Sequence, residues 1–182
     1  MNITTRSPRH LLRLLVAAAI AIYGLVRFRS ADHWDLLDDV NLAIHEAGHV
    51  FFQPLGDHLV VLGGSLLQVL VPFAFVAYFL LRREVFSASV VAAWGAASLH
   101  NVARYIADAR AQELPLLGGE NTIHDWWYLL TEWDALPHDL AIARWVRMAS
   151  ALTFVAAVAG SVRFARPHNE GVAVSLTPRR LR

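Results

Sequence analysis

Five consecutive residues, His45-Glu46-Ala47-Gly48-His49, have the types and spacing to do chemistry. Two histidines four positions apart on a helix project from one face, with Cβ atoms about 5–6 Å apart, so both imidazoles reach a single metal ion. The glutamate beside the first histidine then stands over a water polarised by the ion, takes its proton and returns it to a leaving amine. The spacing therefore predicts His45 and His49 as zinc ligands and Glu46 as the general base of a hydrolase. The chain contains no cysteine, which excludes thiolate ligands, thiol catalysis and a disulfide framework. Any transition-metal site must be built from His, Asp and Glu. Such donors also accept other divalent ions, so zinc follows from the motif and not from affinity order.

Catalytic zinc takes three protein ligands and leaves a position for water, so a third donor is required. His124 and Asp125 stand in an acidic loop, just before Trp126-Trp127-Tyr128. Trp and Tyr favour the membrane–water boundary, and Ile123 to Leu130 reads as a helix at the level of the histidine pair. Asp108 is the rival. His100, Arg104 and Asp108 recur at four-residue steps with Asn101 and Tyr105 beside them, and a stripe of that polarity in an apolar segment faces the protein interior. His124 is the expected third ligand, Asp108 the alternative, and Asp125 an orienting partner. Asp38 and Asp39, one to two turns before His45, are placed either to orient its free nitrogen or to cap their own helix. Gly63, Gly64, Ser65 and Gln68 form a small, polar patch suited to close packing against the histidine helix, and Gln68 could also bond to substrate.

The elements that must position these residues are membrane helices. Of 182 residues, 56% are hydrophobic and 17% charged, against about 25% charged in soluble domains. The deficit points to lipid as the solvent. A net charge of +1 gives no footprint for nucleic acid. Four segments reach the roughly 20 apolar residues that a span needs: about Leu11 to Phe28, Leu59 to Leu81, Ser87 to Ala109 and Ala141 to Phe164. Asp32 to Phe52 is too polar for a lipid-facing span, but Asp35, Asp38, Leu42, His45 and His49 share one helical face. Pro54 and Gly56 then stop that helix.

All sixteen basic residues are arginines. With the motif helix re-entrant or dipping from one surface, Arg6, Arg9, Arg13, Arg82, Arg83, Arg163, Arg166 and the C-terminal arginines lie on the cytoplasmic side, as the positive-inside rule prefers. The loop from Ala111 to Ala143 carries no arginine below Arg144 and six acidic residues, and it falls on the opposite side together with the motif. The expectation is an all-α polytopic membrane bundle forming one domain, 1–182, with 1–10 and 167–182 as short cytoplasmic tails. It sits in a bacterial inner membrane with both termini cytoplasmic.

A His-Glu-x-x-His motif in a small polytopic membrane protein resembles the site-2-protease group, the M50-like intramembrane zinc metalloproteases. The resemblance implies His45 and His49 as zinc ligands, Glu46 as the residue that activates water, and a membrane protein or peptide as substrate. It also implies an aspartate from a later span. Asn101 followed by Asp108 is the stretch that resembles this motif, without the proline the family has after the asparagine and with Ala109 where the family has glycine, so Asp108 and His124 both stay open. LGGSLLQVLVP, YIADARAQELPLLGG and IHDWWYLL are also similar to small, uncharacterised bacterial membrane proteins carrying HEAGH, which implies no activity. A lipid amide or ester hydrolase and a non-catalytic metal-binding or scaffold protein are the alternative readings.

Overall fold

The computed structural model describes residues 8–30, 34–117, 119 and 122–166. The expected tail 167–182 and most of 1–10 lie outside them. The fold is all-helical: α1 (Pro8–Arg29), α2 (Leu36–Phe52), α3 (Asp57–Leu81), α4 (Val85–Ala107), α5 (Asp125–Glu132) and α6 (Asp139–Arg163). Among the described residues four segments are long and apolar enough to cross a membrane: Pro8–Arg29, Asp57–Leu81, Val85–Ala107 and Leu136–Arg163. They coincide with the four segments expected from hydropathy. Their exposed faces carry large apolar side chains, among them Leu12, Ile22, Leu81 and Leu152, as a protein solvated by lipid requires.

The motif helix α2 has 17 residues. It begins with a capping box: Asp35 accepts from the backbone of Leu37 and Asp38, and Asp38 reaches back to the amide of Asp35. Satisfying these orphan donors fixes the start of the helix. A short 3-10 turn, Gln53–Leu55, and Gly56 at φ +94° end it. That left-handed backbone is open to glycine and strained for other residues.

α2 runs antiparallel to α3, because His45 meets Gln68 while His49 meets Val60. The two backbones touch where Gly48 faces Gly63, and a Cβ on Gly64 would stand 2.6 Å from Nε2 of His45. Glycine at 48, 63 and 64 thus sets how near the histidines come to α3. Helix α4 forms the centre, packed on α1, α2, α3 and α6. Its buried side is mostly Ala, Gly and Ser, including Ala93, Gly95, Ala96, Ala97 and Ser98. Beyond it Val102, Ile106, Trp126, Leu129, Leu130 and Ala143 form an apolar cluster where α4, α5 and α6 meet. Each fully buried leucine there contributes about 1.5–3 kcal/mol, which clamps the short α5 onto the bundle.

Gly48→Ala is expected to destabilise the detergent-solubilised protein by roughly 1–3 kcal/mol, because rigid backbone leaves no room to absorb the methyl. Gly95→Ala, which meets only the Phe73 ring at 3.2 Å, should cost less. Thermal unfolding of the two variants side by side checks the order.

Candidate metal centre

α2, α3 and α5 bring three donor atoms together. Nε2 of His45 lies 2.9 Å from Oδ2 of Asp125, and Nε2 of His49 lies 3.3 Å from the same oxygen. All three donors lie within 4.8 Å of one another. Donors placed about 2.0–2.2 Å from one ion at tetrahedral angles stand roughly 3.3–3.5 Å apart, so a small adjustment admits a zinc-sized cation. The donor set is of the kind such an ion takes. The two imidazole rings meet edge to face with centroids 4.8 Å apart.

The other nitrogen of each histidine is already committed. Nδ1 of His49 donates to the carbonyl of Val60 at 2.8 Å. That carbonyl only accepts, so Nδ1 carries hydrogen and Nε2 is the ligating atom. Nδ1 of His45 lies 3.3 Å from Oε1 of Gln68, and a longer chain of bonds decides its tautomer. Arg27 and Asp38 form a buried ion pair, with Nη1 donating to Oδ2 at 2.9 Å and Nη2 to Oδ1. A carboxylate offers acceptors only, so Asn101 must present its NH₂ to Asp38, at 3.1 Å. The Asn101 oxygen then accepts from Nε2 of Gln68 at 2.8 Å, which turns the Gln68 oxygen toward His45. The ion pair thus dictates, through two amides, that Nδ1 of His45 donates to the Gln68 oxygen while Nε2 is turned to Asp125. Asp38 orients His45 through Asn101 and Gln68 without touching it. Asp39 is exposed and accepts from the Trp34 indole.

Asp125 opens α5 and is 9% exposed. Its backbone amide donates to the Tyr105 hydroxyl at 3.2 Å, and the neighbouring Trp126 indole donates to Ser65 at 3.0 Å. Burial alone would raise its carboxyl, but bonds from His45 and His49 outweigh that and hold it below the usual carboxylate range. The same bond to Asp125 raises His49 to about 9, against the opposing effect of burial. Asp125 thus favours the protonated form of His49.

The expected ligands His124 and Asp108 are not in this group. His124 is the N-cap of α5: its Nδ1 accepts from the Trp127 amide at 3.2 Å and its Nε2 faces Asp108 at 3.3 Å. Both ring nitrogens are engaged, and burial lowers its pKa. Asp108 also accepts from the amides of Glu113 and Leu114, and Arg110 pairs with Asp139. Asn41, which the sequence reading passed over, is fully buried and accepts from Trp94 and Ser98. Its signal was a polar residue between Asp38 and His45 on the inner face.

Glu46 makes no hydrogen bond or ion pair to a described residue. It lines, with His45, His49 and Asp125, a cavity of about 720 Å³. Its lining also includes the polar Gln68, Asn101, Arg104 and Tyr105 and the apolar Leu42, Leu114, Leu116 and Leu117.

Replacing Asp38 by asparagine should reverse the amide chain. The new side chain keeps its oxygen toward Arg27 and turns an NH₂ to Asn101, so Asn101 and Gln68 flip and His45 moves its hydrogen to Nε2. Imidazole 15N shifts of the metal-free protein read this directly; an unchanged His45 tautomer would refute the relay.

No protein-family model matches the sequence, and neither a curated protein nor a solved structure matches the chain.

Proposed function

We propose that the protein is a membrane-embedded zinc-dependent hydrolase, a metalloprotease that cleaves a peptide bond at or within the membrane. The observation that supports this most is the convergence of His45 Nε2, His49 Nε2 and Asp125 Oδ2 on the wall of a cavity that Glu46 also lines. His45, His49 and Asp125 would hold the ion, which when bound polarises the scissile carbonyl and lowers the pKa of water. Glu46, one position from His45, accepts a proton from the attacking water and returns it to the departing nitrogen. Gln68 and the Val60 carbonyl keep both imidazoles aimed while this happens. Tyr105 holds the amide of Asp125 and stacks its ring edge against His45, 5.7 Å between centroids.

The resemblance to intramembrane zinc metalloproteases agrees with this reading at His45, Glu46 and His49, and the acid of the trio comes from α5 instead of from Asp108 on the preceding span. The arginine distribution supports a cytoplasmic location for both termini, in a bacterial inner membrane, with the donor group toward the opposite side. The apolar cavity wall gives some support to a second reading, hydrolysis of a lipid amide or ester by the same residues.

Elemental analysis of the detergent-purified protein should find about one zinc per chain, lost in His45→Ala and in Asp125→Ala but kept in His124→Ala. Glu46→Gln should keep the metal and lose turnover by at least about a hundredfold. Full turnover in Glu46→Gln would overturn the mechanism, and absence of metal from chelator-free preparations would favour a non-catalytic scaffold.

Protons and metal compete for His49. The His49 value of about 9 means that the proton must leave before Nε2 ligates, so apparent zinc affinity rises with pH through the neutral range by about tenfold per unit. It levels off above that value. Chelator-competition titrations across the range check the slope; a flat profile would show that zinc displaces no proton from His49 there.

A further inference from the structure

Arg104 is the unexplained charge of the cavity. It sits on α4, inside a segment able to span the membrane, where a charge without a partner is costly. Several polar neighbours are bonded: Ser98 to α3, Asn101 to Asp38 and Gln68, and Asp108 to His124 and two amides. Arg104 makes no hydrogen bond or ion pair to a described residue, is half-buried, and lines the cavity together with the donor group. It stands next to Tyr105, which contacts the His45 ring, and one turn from Asn101, which holds Gln68. Arg104 and the three donors thus line one cavity. The cavity also has an apolar lining, from Leu42, Leu114 and Leu116 together with the exposed Trp34, Leu117 and Ile123.

We propose that Arg104 binds a free carboxylate on the leaving side of the substrate, so that the site takes amides of an α-amino acid whose acyl portion is apolar. The chemistry is shared by an apolar peptide C-terminus and by an N-acyl amino acid. The guanidinium fork matches a carboxylate in two parallel bonds, and the leucine wall receives the acyl chain while the intervening amide lies at the donor group and Glu46. A volume of about 720 Å³ suits a ligand of that size. In hydrolysis the C–N bond breaks, water supplies OH to the acyl carbon and H to the nitrogen, and an apolar carboxylic acid and a free amino acid leave. The reaction rests on the hydrolase reading; the binding of the carboxylate does not.

The test is therefore binding first. N-dodecanoyl-phenylalanine and a blocked Leu-Leu-Phe tripeptide, each as free acid and as carboxamide, are titrated against the full-length Glu46→Gln protein in detergent, with and without Arg104→Gln. The free acids should bind about tenfold more tightly than the amides, and Arg104→Gln should erase the difference. Arg104→Lys should restore part of it, since a point charge replaces a fork. An unaltered thermal midpoint shows that Arg104→Gln remains folded. Equal binding of acid and amide, or a preference that survives Arg104→Gln, overturns the proposal. Preference for the dodecanoyl probe or for the tripeptide identifies which source the wall fits. If the acid preference depends on Arg104 but wild-type protein turns over neither acid, the carboxylate site stands and the hydrolase reading fails.

Discussion

A guanidinium and a carboxylate enclosed among apolar helices have to satisfy each other, and Arg27 and Asp38 do so from α1 and α2. Such pairs are weak evidence for stability, because desolvation offsets the attraction. Here the pair's effect is directional. Asp38 also closes the capping box of α2, so one side chain starts the motif helix, ties it to α1 and orders the amides that lead to His45. A hydrogen-bond chain in which every member has a single acceptable orientation carries that order without a direct contact. The aim of a histidine midway along α2 is thereby set by an arginine near the end of α1.

Close approach is the second constraint. Gly48, Gly63 and Gly64 let α2 and α3 approach closely, with the Phe52 and His45 side chains seated against the glycines of α3, and the small residues of α4 let the remaining helices gather around it. In lipid, association gains little from hydrophobic burial, so van der Waals contact and interhelical hydrogen bonds must hold the bundle. The polar groups that mark the site therefore also hold the helices. Ser98 bonds to Gln68 and Asn41, Trp126 to Ser65, and Ser150 to Ala96.

The four long helices, the inner face of α2 and its stop at Pro54 and Gly56 are legible in the sequence, because length, hydropathy and the 3.6-residue period decide them locally. The acid of the donor group is not local. His124 and Asp125 adjoin each other, both have ligand chemistry, and one position of difference at a helix start turns one side chain into a cap and the other toward the histidines. The position of His124 just before a helical run is compatible with an N-cap as well as with a ligand, and the sequence leaves the two open. The polar stripe on α4 faces inward as its spacing requires, yet its members divide: Asn101 joins the relay, Asp108 closes a loop, and Arg104 is left to the cavity. Periodicity identifies a shared face and says nothing of which partner each residue meets there.

His45 and Asp125 are separated by 80 positions, with two long helices threaded between them. A chain inserted only through its second span has both imidazoles in place and no carboxylate facing them. The donor set closes when α5 docks on the apolar cluster formed with α4 and α6, which demands that the last long helix be present. Completion of this centre is thus coupled to completion of the whole bundle, and a truncated or misinserted chain carries the motif without the trio that the motif requires.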